Sequence, residues 1–140
     1  MSESEASSEV RCWLRYAQED LQTAETLLAQ KGIPPRHICW LAQQAAEKAM
    51  KTILVFLQVD FPKIHDLDAL RNLLPNGWKV KTEHPDLADL SEWAVEARYP
   101  GDWPEAGEAE AASAVEKARG ILKSVSDDLC SHGFENKETT

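Results

Sequence analysis

The feature that most constrains the fold is the helical periodicity of residues 37–51, HICWLAQQAAEKAMK. Apolar residues recur there at spacings of three and four, which places them on one broad helical face: Ile38, Leu41, Ala42, Ala45, Ala46, Ala49 and Met50. Polar residues keep the same spacing on a second face, where their side chains can meet: Gln44, Glu47, Lys48 and Lys51. The pattern predicts a core helix that carries a line of functional groups.

Apolar residues recur at helical spacing in other parts of the chain as well. The run TILVFLQV, which follows directly on residue 51, is rich in the β-branched residues that favour strands. We predict a helix there too, because the helical spacing continues through it without a turn residue. The result is an all-α, antiparallel up-and-down bundle of four to five helices, which cover residues 9–30, 35–57, 67–74, 85–97 and 105–129.

Residues between these stretches indicate where the helices end. Ser7 or Ser8 is the predicted N-cap of the first helix and Asp66 that of the third, because their side-chain oxygens can accept free amide hydrogens. Gly32 suits a left-handed cap after the first helix, and residues 78–83 are predicted to be irregular. The chain is expected to consist of a flexible N-terminus, one bundle and a disordered tail, covering residues 1–8, 9–129 and 130–140.

The first and last predicted helices each carry a long heptad-like stripe of apolar residues. Two such stripes exceed what one bundle of this size covers, so we predict that part of the surface forms a homodimer interface. The five tryptophans are interpreted as core or interface anchors. Trp78 and Trp103 lie in breaks between helices, and they are the predicted stacking surfaces for a base.

The formal net charge of −9 opposes nonspecific binding to nucleic acid. The charge is uneven, because residues 36–82 carry seven basic and four acidic side chains between two acidic flanks. A phosphate-bearing ligand is therefore expected in this middle region. The chain lacks a run of roughly 20 apolar residues, and its acidic, polar start does not resemble a secretory signal. We expect a cytoplasmic protein without membrane association.

The cysteines and histidines show no metal-binding motif. The three cysteines are odd in number and widely spaced, which favours reduced thiols in a reducing compartment. The four histidines show no HxxxH or HExxH spacing. No metal site and no cofactor are predicted.

Several polar residues allow both a structural and a functional interpretation. Glu47 and Lys51 have the spacing of a helix ion pair, but they also suit a polar site in a dimer cleft. Gln44 and Lys48 have the same spacing and could bind a phosphate or a base edge. His65 is interpreted as a capping or packing histidine, or as a hydrogen-bonding partner for a ligand.

Three fragments in this order resemble the HEPN domain family: AQQAAEKAMK in the second helix, His65-Asp66-Leu67 after a Pro-containing connection, and Ala97-Arg98-Tyr99-Pro100 before the last helix. The opening helix is also similar, through Trp13-Leu14 and Ala17-x-x-Asp20-Leu21. The resemblance covers roughly residues 9–129. It implies a bundle that commonly dimerises and often pairs with a small nucleotidyltransferase in a toxin–antitoxin-like system. Some members bind nucleotides, and some are metal-independent ribonucleases.

Ribonucleases of this family carry an Arg followed, after four to six residues, by a His. Arg98 matches the Arg, but positions 103, 104 and 105 hold Trp, Pro and Glu. The resemblance thus implies a subunit without the usual acid–base His. The alternatives are a ribonuclease toxin that uses Arg98 with His65 or Glu105, and a non-catalytic dimeric scaffold. Arg98 and Tyr99 also end a predicted helix, where a guanidinium can bind free carbonyls or a phosphate. The predicted ligand-binding residues are Gln44, Glu47, Lys48, Lys51, His65, Arg98 and Tyr99.

Overall fold

The computed structural model of the chain describes residues 3–94 and 106–134. These two stretches contain six helices and no strand: α1 (Glu3–Leu28), α2 (Pro35–Phe56), α3 (Leu67–Asn72), α4 (Lys79–Glu83), α5 (Ala88–Ser91) and α6 (Glu108–Ser131). The predicted all-α class is confirmed. The three long helices form the bundle, in which α2 packs against both α1 and α6. The short helices lie in the connection from α2 to α6.

α2 is the central helix of the bundle. Its four alanines between positions 42 and 49 are fully buried, which lets the neighbouring helices approach closely. Met50, Ile53 and Leu54 are also fully buried, and burying a side chain of this size contributes about 1.5–3 kcal/mol. The run TILVFLQV continues the helix as far as Phe56, so the predicted helix is correct there. Between Ile38 and Leu54, the positions that keep contact with solvent are Trp40, Leu41, Gln44 and Lys48.

α1 begins earlier than predicted. It starts at Glu3, so Ser7 and Ser8 lie inside the helix and the predicted N-cap is wrong. Acidic residues near the start, such as Glu5, stabilise the positive pole of the helix and favour this extension. The apolar stripe faces the core as predicted, and Gly32 has a left-handed φ of +83° in the turn after the helix.

The short helix α3 has the predicted N-cap. The Asp66 side chain accepts a hydrogen bond from the Ala69 amide at 3.2 Å. The Ser91 hydroxyl accepts another from the Leu67 amide at 2.9 Å. A turn follows α3, and in this turn Gly77 has a φ of +91°.

α4 occupies a segment for which the sequence predicted irregular structure. Its first amides donate to Asp128 of α6, from Lys79 at 2.8 Å and from Val80 at 2.9 Å. One carboxylate thus caps the start of a helix that lies almost fifty positions earlier in the chain. No local pattern could have indicated this helix, because its cap comes from the far end of the sequence.

The helix predicted over residues 85–97 is wrong in its described part. α5 covers Ala88–Ser91 alone, and the last three predicted positions lie outside the described residues. Arg71 explains the late start. Its Nη1 donates to the carbonyl oxygens of His84 and Pro85, at 2.8 and 2.6 Å, and ties this backbone to α3.

α6 carries the second apolar stripe on its buried face, as predicted. It ends at Ser131, and Gly133 then adopts a φ of +88° before the buried ring of Phe134. Residues 135–140 of the predicted disordered tail lie outside the described part. Throughout residues 3–94 and 106–134, no helix combines the length and the apolar character needed to cross a membrane.

Candidate functional site

The predicted polar face of α2 reaches solvent along one line. Trp40, Gln44 and Lys48 follow one another at one-turn spacing, and we call these three residues the open strip. Trp40 is 38% exposed, whereas Gln44 and Lys48 are half-buried. α1 borders the strip through Asp20, which contacts Lys48. The connection before α3 contributes His65, which contacts neighbouring residues of α2.

Glu47 is the centre of a buried hydrogen-bond network next to the open strip. Its carboxylate lies 2.7 Å from His65 Nδ1, 3.0 Å from Lys51 Nζ and 3.1 Å from Gln43 Nε2. Burial raises the pKa of Glu47, but the hydrogen bonds from these three groups and the charge of Lys51 outweigh it. The pKa therefore lies below its usual value of 4.5, and Glu47 is ionised at neutral pH. We call Gln43, Glu47, Lys51 and His65 the Glu47 network.

Gln43 belongs to this network, although the polar face predicted from helical spacing omitted it. It is fully buried. Its Nε2 donates to Glu47 and to the backbone oxygen of His65, each at 3.1 Å, and its Oε1 accepts from Gln44 at 2.7 Å. Gln43 thus connects the open strip to the Glu47 network. The four-residue spacing from Gln43 to Glu47 is the sequence signal that could have found it.

Both lysines of the predicted site are paired with carboxylates. Lys48 Nζ lies 2.5 Å from Asp20 Oδ2 on α1. Lys51 pairs with Glu47, and its ammonium lies over the Phe61 ring at 5.6 Å from the centroid. Each pair is neutral in sum. The interpretation of Lys48 as a phosphate ligand therefore gains no support from this geometry.

Four of the seven predicted site residues share one connected set of hydrogen bonds: Gln44, Glu47, Lys51 and His65. Lys48 lies beside them but is held by α1. Arg98, Tyr99 and Glu105 lie outside the described residues. The assignment of any of these side chains to a ligand remains a prediction. A carboxylate that orients an imidazole can serve in binding or in proton transfer.

Trp78 does not have the predicted role of a stacking surface for a base. It is 4% exposed, because the segment after Gly77 folds back onto α6. The Trp78 indole stacks on His132 with ring centroids 3.9 Å apart, and it meets Phe56 edge-on at 6.2 Å. Trp103, the other predicted stacking residue, lies outside the described part. Of the described tryptophans, Trp40 offers the most exposed ring.

A second polar cluster joins α4 to α6. His84 Nε2 lies 3.0 Å from the Ser124 hydroxyl, which donates to Glu83 at 3.0 Å. Ser124 is 4% exposed, so the trio is suited to docking two helices rather than to attacking a substrate. Burial lowers the pKa of His84 below its usual value of 6.5, by more than the Glu83 carboxylate raises it.

A cleft of about 320 Å³ lies between α5 and the first half of α6. Its lining combines apolar side chains and carboxylates: Leu90, Trp93, Ala114, Asp89, Glu92 and Glu110. None of these residues belongs to the Glu47 network. Among the described residues, no three His, Cys, Asp or Glu side chains come together as ligands for a metal ion.

Known proteins resemble the chain over almost the whole bundle. The model of the HEPN domain family matches residues 10–128. The crystal structure of TT1696 from Thermus thermophilus is 30% identical with a TM-score of 0.71, over 86% of this chain and 98% of that one. ST0689, an archaeal HEPN homologue, is 26% identical with a TM-score of 0.63, over 86% of this chain and 97% of its own. Among curated proteins, none matches the sequence. The family match runs from α1 to α6 and includes every residue of the Glu47 network, so this chain belongs to the HEPN domain family.

Proposed function

We propose that this chain is a non-catalytic HEPN subunit, a homodimer that binds a nucleotide, a small nucleotidyltransferase partner, or both. It would act in a two-component system of the toxin–antitoxin kind. The observation that carries the proposal is the Glu47 network beside the open strip. Burying Glu47, Lys51 and Gln43 costs desolvation energy that well-packed apolar side chains would avoid. Buried ionisable groups that reach the surface through His65 and Gln44 are typical of a binding site.

Nucleotide binding is tested by calorimetry and thermal shift with ATP, GTP and AMP on the purified chain. We expect binding that His65→Ala or Arg98→Ala weakens at least tenfold. His37→Ala is the matched control for His65, because His37 is an exposed histidine at the start of α2. Equal loss in His37→Ala would indicate a general effect on the fold, and an absence of binding to all three nucleotides would contradict this part of the proposal.

Dimerisation is supported by large apolar side chains that remain exposed on the monomer. Tyr16 on α1 and Trp40 on α2 are 47% and 38% exposed, and Val59 and Leu73 are similarly exposed. Light scattering at micromolar concentration should give twice the chain mass of 15.7 kDa. A monomeric mass would contradict the dimer.

The nucleotidyltransferase partner is tested by a pull-down with tagged chain from the native host. We expect a small nucleotidyltransferase, encoded in a neighbouring reading frame, to co-purify with the chain. Recovery of the tagged chain alone would contradict the two-component system. If Lys48→Ala and Arg98→Ala changed dimer stability but no ligand affinity, the chain would instead be a scaffold.

A metal-independent ribonuclease is the second candidate, and the contact between Glu47 and His65 favours it. The carboxylate holds His65 Nδ1 at 2.7 Å, so the neutral ring keeps its lone pair on Nε2. A histidine held in this way could take the proton of a ribose 2′-hydroxyl, as the histidine after Arg98 does in other members. Growth arrest on expression, abolished by His65→Ala and by Arg98→Ala, would support this candidate. Harmless overexpression would contradict it.

A further inference from the structure

The hydrogen-bond directions inside the Glu47 network determine what the open strip offers to a ligand. The ionised Glu47 carboxylate accepts hydrogen bonds and cannot donate them, and the same holds for the backbone oxygen of His65. Gln43 Nε2 lies 3.1 Å from both oxygens. The two ends of an amide have the same shape, but these two acceptors require the NH₂ group of Gln43 to face them. The amide oxygen of Gln43 therefore points towards Gln44.

The fixed orientation of Gln43 determines that of Gln44. Gln43 Oε1 can only accept, and it lies 2.7 Å from Gln44 Nε2. The amide nitrogen of Gln44 is thus directed at Gln43, and its oxygen is the atom left for other partners. Within residues 3–94 and 106–134, no side chain or backbone amide donates to Gln44 Oε1. The middle of the open strip consequently presents a hydrogen-bond acceptor.

Trp40 and Lys48 flank this acceptor along α2. Trp40, one turn before Gln44, supplies an aromatic surface that is 38% exposed. Lys48, one turn after Gln44, is neutralised by Asp20 at 2.5 Å. An acceptor between an aromatic ring and a neutralised lysine suits a flat group that donates hydrogen bonds better than it suits a phosphate.

We infer that the open strip binds a nucleobase with an exocyclic amino group, adenine or cytosine, whose ring packs against Trp40 and whose amino group donates to Gln44 Oε1. Hypoxanthine and uracil carry a carbonyl oxygen at the corresponding position, so two acceptors would face each other. This inference rests on the proposed nucleotide binding and names the part of the nucleotide that the open strip recognises.

Calorimetry with two matched pairs of ligands tests the inference, AMP against IMP and CMP against UMP. The amino base of each pair should bind about tenfold more tightly, because its partner leaves the acceptor without a hydrogen bond. Gln44→Ala should lower the affinity for AMP to that for IMP and leave IMP unchanged. Trp40→Ala should weaken all four ligands by about fivefold or more. Gln18→Ala, at an exposed position of α1, is the control and should change none of them.

Each outcome separates the inference from the proposed function. Equal affinities for AMP and IMP, or discrimination that survives in Gln44→Ala, would overturn the inference and leave nucleotide binding in place. If none of the four ligands bound, both would fail. The comparison of AMP with IMP uses the unaltered chain, so the result does not depend on the folding of a variant.

Discussion

Replacing Glu47 by Gln tests the energetics of the Glu47 network most directly. The substitution keeps the shape of the side chain but removes the charge that balances the Lys51 ammonium, whose side chain is 10% exposed. Leaving one member of a buried ion pair without its partner costs about 3–5 kcal/mol. Domains are stable by only about 5–15 kcal/mol, so Glu47→Gln should remove a large fraction of the free energy of unfolding.

Two further variants separate charge from packing. Glu47→Gln combined with Lys51→Met removes both charges, and we expect it to cost less than about 2 kcal/mol, because apolar replacement of a whole buried pair is often neutral. Glu19→Gln is the matched control on α1. It breaks an ion pair with Arg15 that has the same four-residue spacing but is 59% exposed on each side, and it should cost less than about 0.5 kcal/mol.

Urea unfolding followed by circular dichroism measures these free energies. A stability of Glu47→Gln within about 1 kcal/mol of the unaltered chain would refute the expected cost of the unpaired charge. A double variant as unstable as the single one would refute it as well. The pH dependence gives a second readout. Folding lowers the pKa of Glu47, so its contribution is complete above the usual value of 4.5 and is lost as the pH falls through the folded pKa. Glu47→Gln should lose this part of the acid sensitivity.

Three other substitutions test the surrounding fold. Asp128→Ala removes the acceptor of two backbone amides and should cost about 1–2 kcal/mol in urea unfolding; Asp127→Ala, which loses an exposed ion pair with Lys79, should cost less than about 0.5 kcal/mol, and equal costs would contradict the capping role. Burial lowers the pKa of His84, so stability should decrease as the pH falls below 6.5; His84→Gln should flatten this slope, and an unchanged slope would count against it. Gly77→Ala places a side chain at a φ of +91° and should lower the melting temperature, with Gly77→Asn intermediate; a neutral Gly77→Ala would be inconsistent with strain.

The long helices were predictable because one-sided burial imposes a spacing that is visible in the sequence. The prediction for α2, residues 35–57, differs from the observed Pro35–Phe56 by one residue. The short helices α4 and α5 were not predictable in this way. Asp128 caps the start of α4 and Arg71 delays the start of α5, and both act through contacts between residues distant in sequence.

The candidate site divides along the same line. Four-residue spacing predicts the contact of Glu47 with Lys51, because both lie on one helix. It cannot predict that His65 joins them or that Asp20 takes Lys48, since these contacts connect different segments. The spacing also made Lys48 a candidate phosphate ligand. Only the packing of α1 against α2 reveals that its charge is already balanced.

The central position of α2 has a consequence for how the chain folds during its synthesis. α1 and α2 are joined by a connection of residues 29–34, so they can pair as soon as both have left the ribosome. The face of α2 that α6 covers must wait for about fifty more residues, from Phe56 to Glu108. At about 5–20 residues per second, that apolar face stays uncovered for some seconds. During this interval it is a binding surface for a chaperone, or for the same face of another nascent copy.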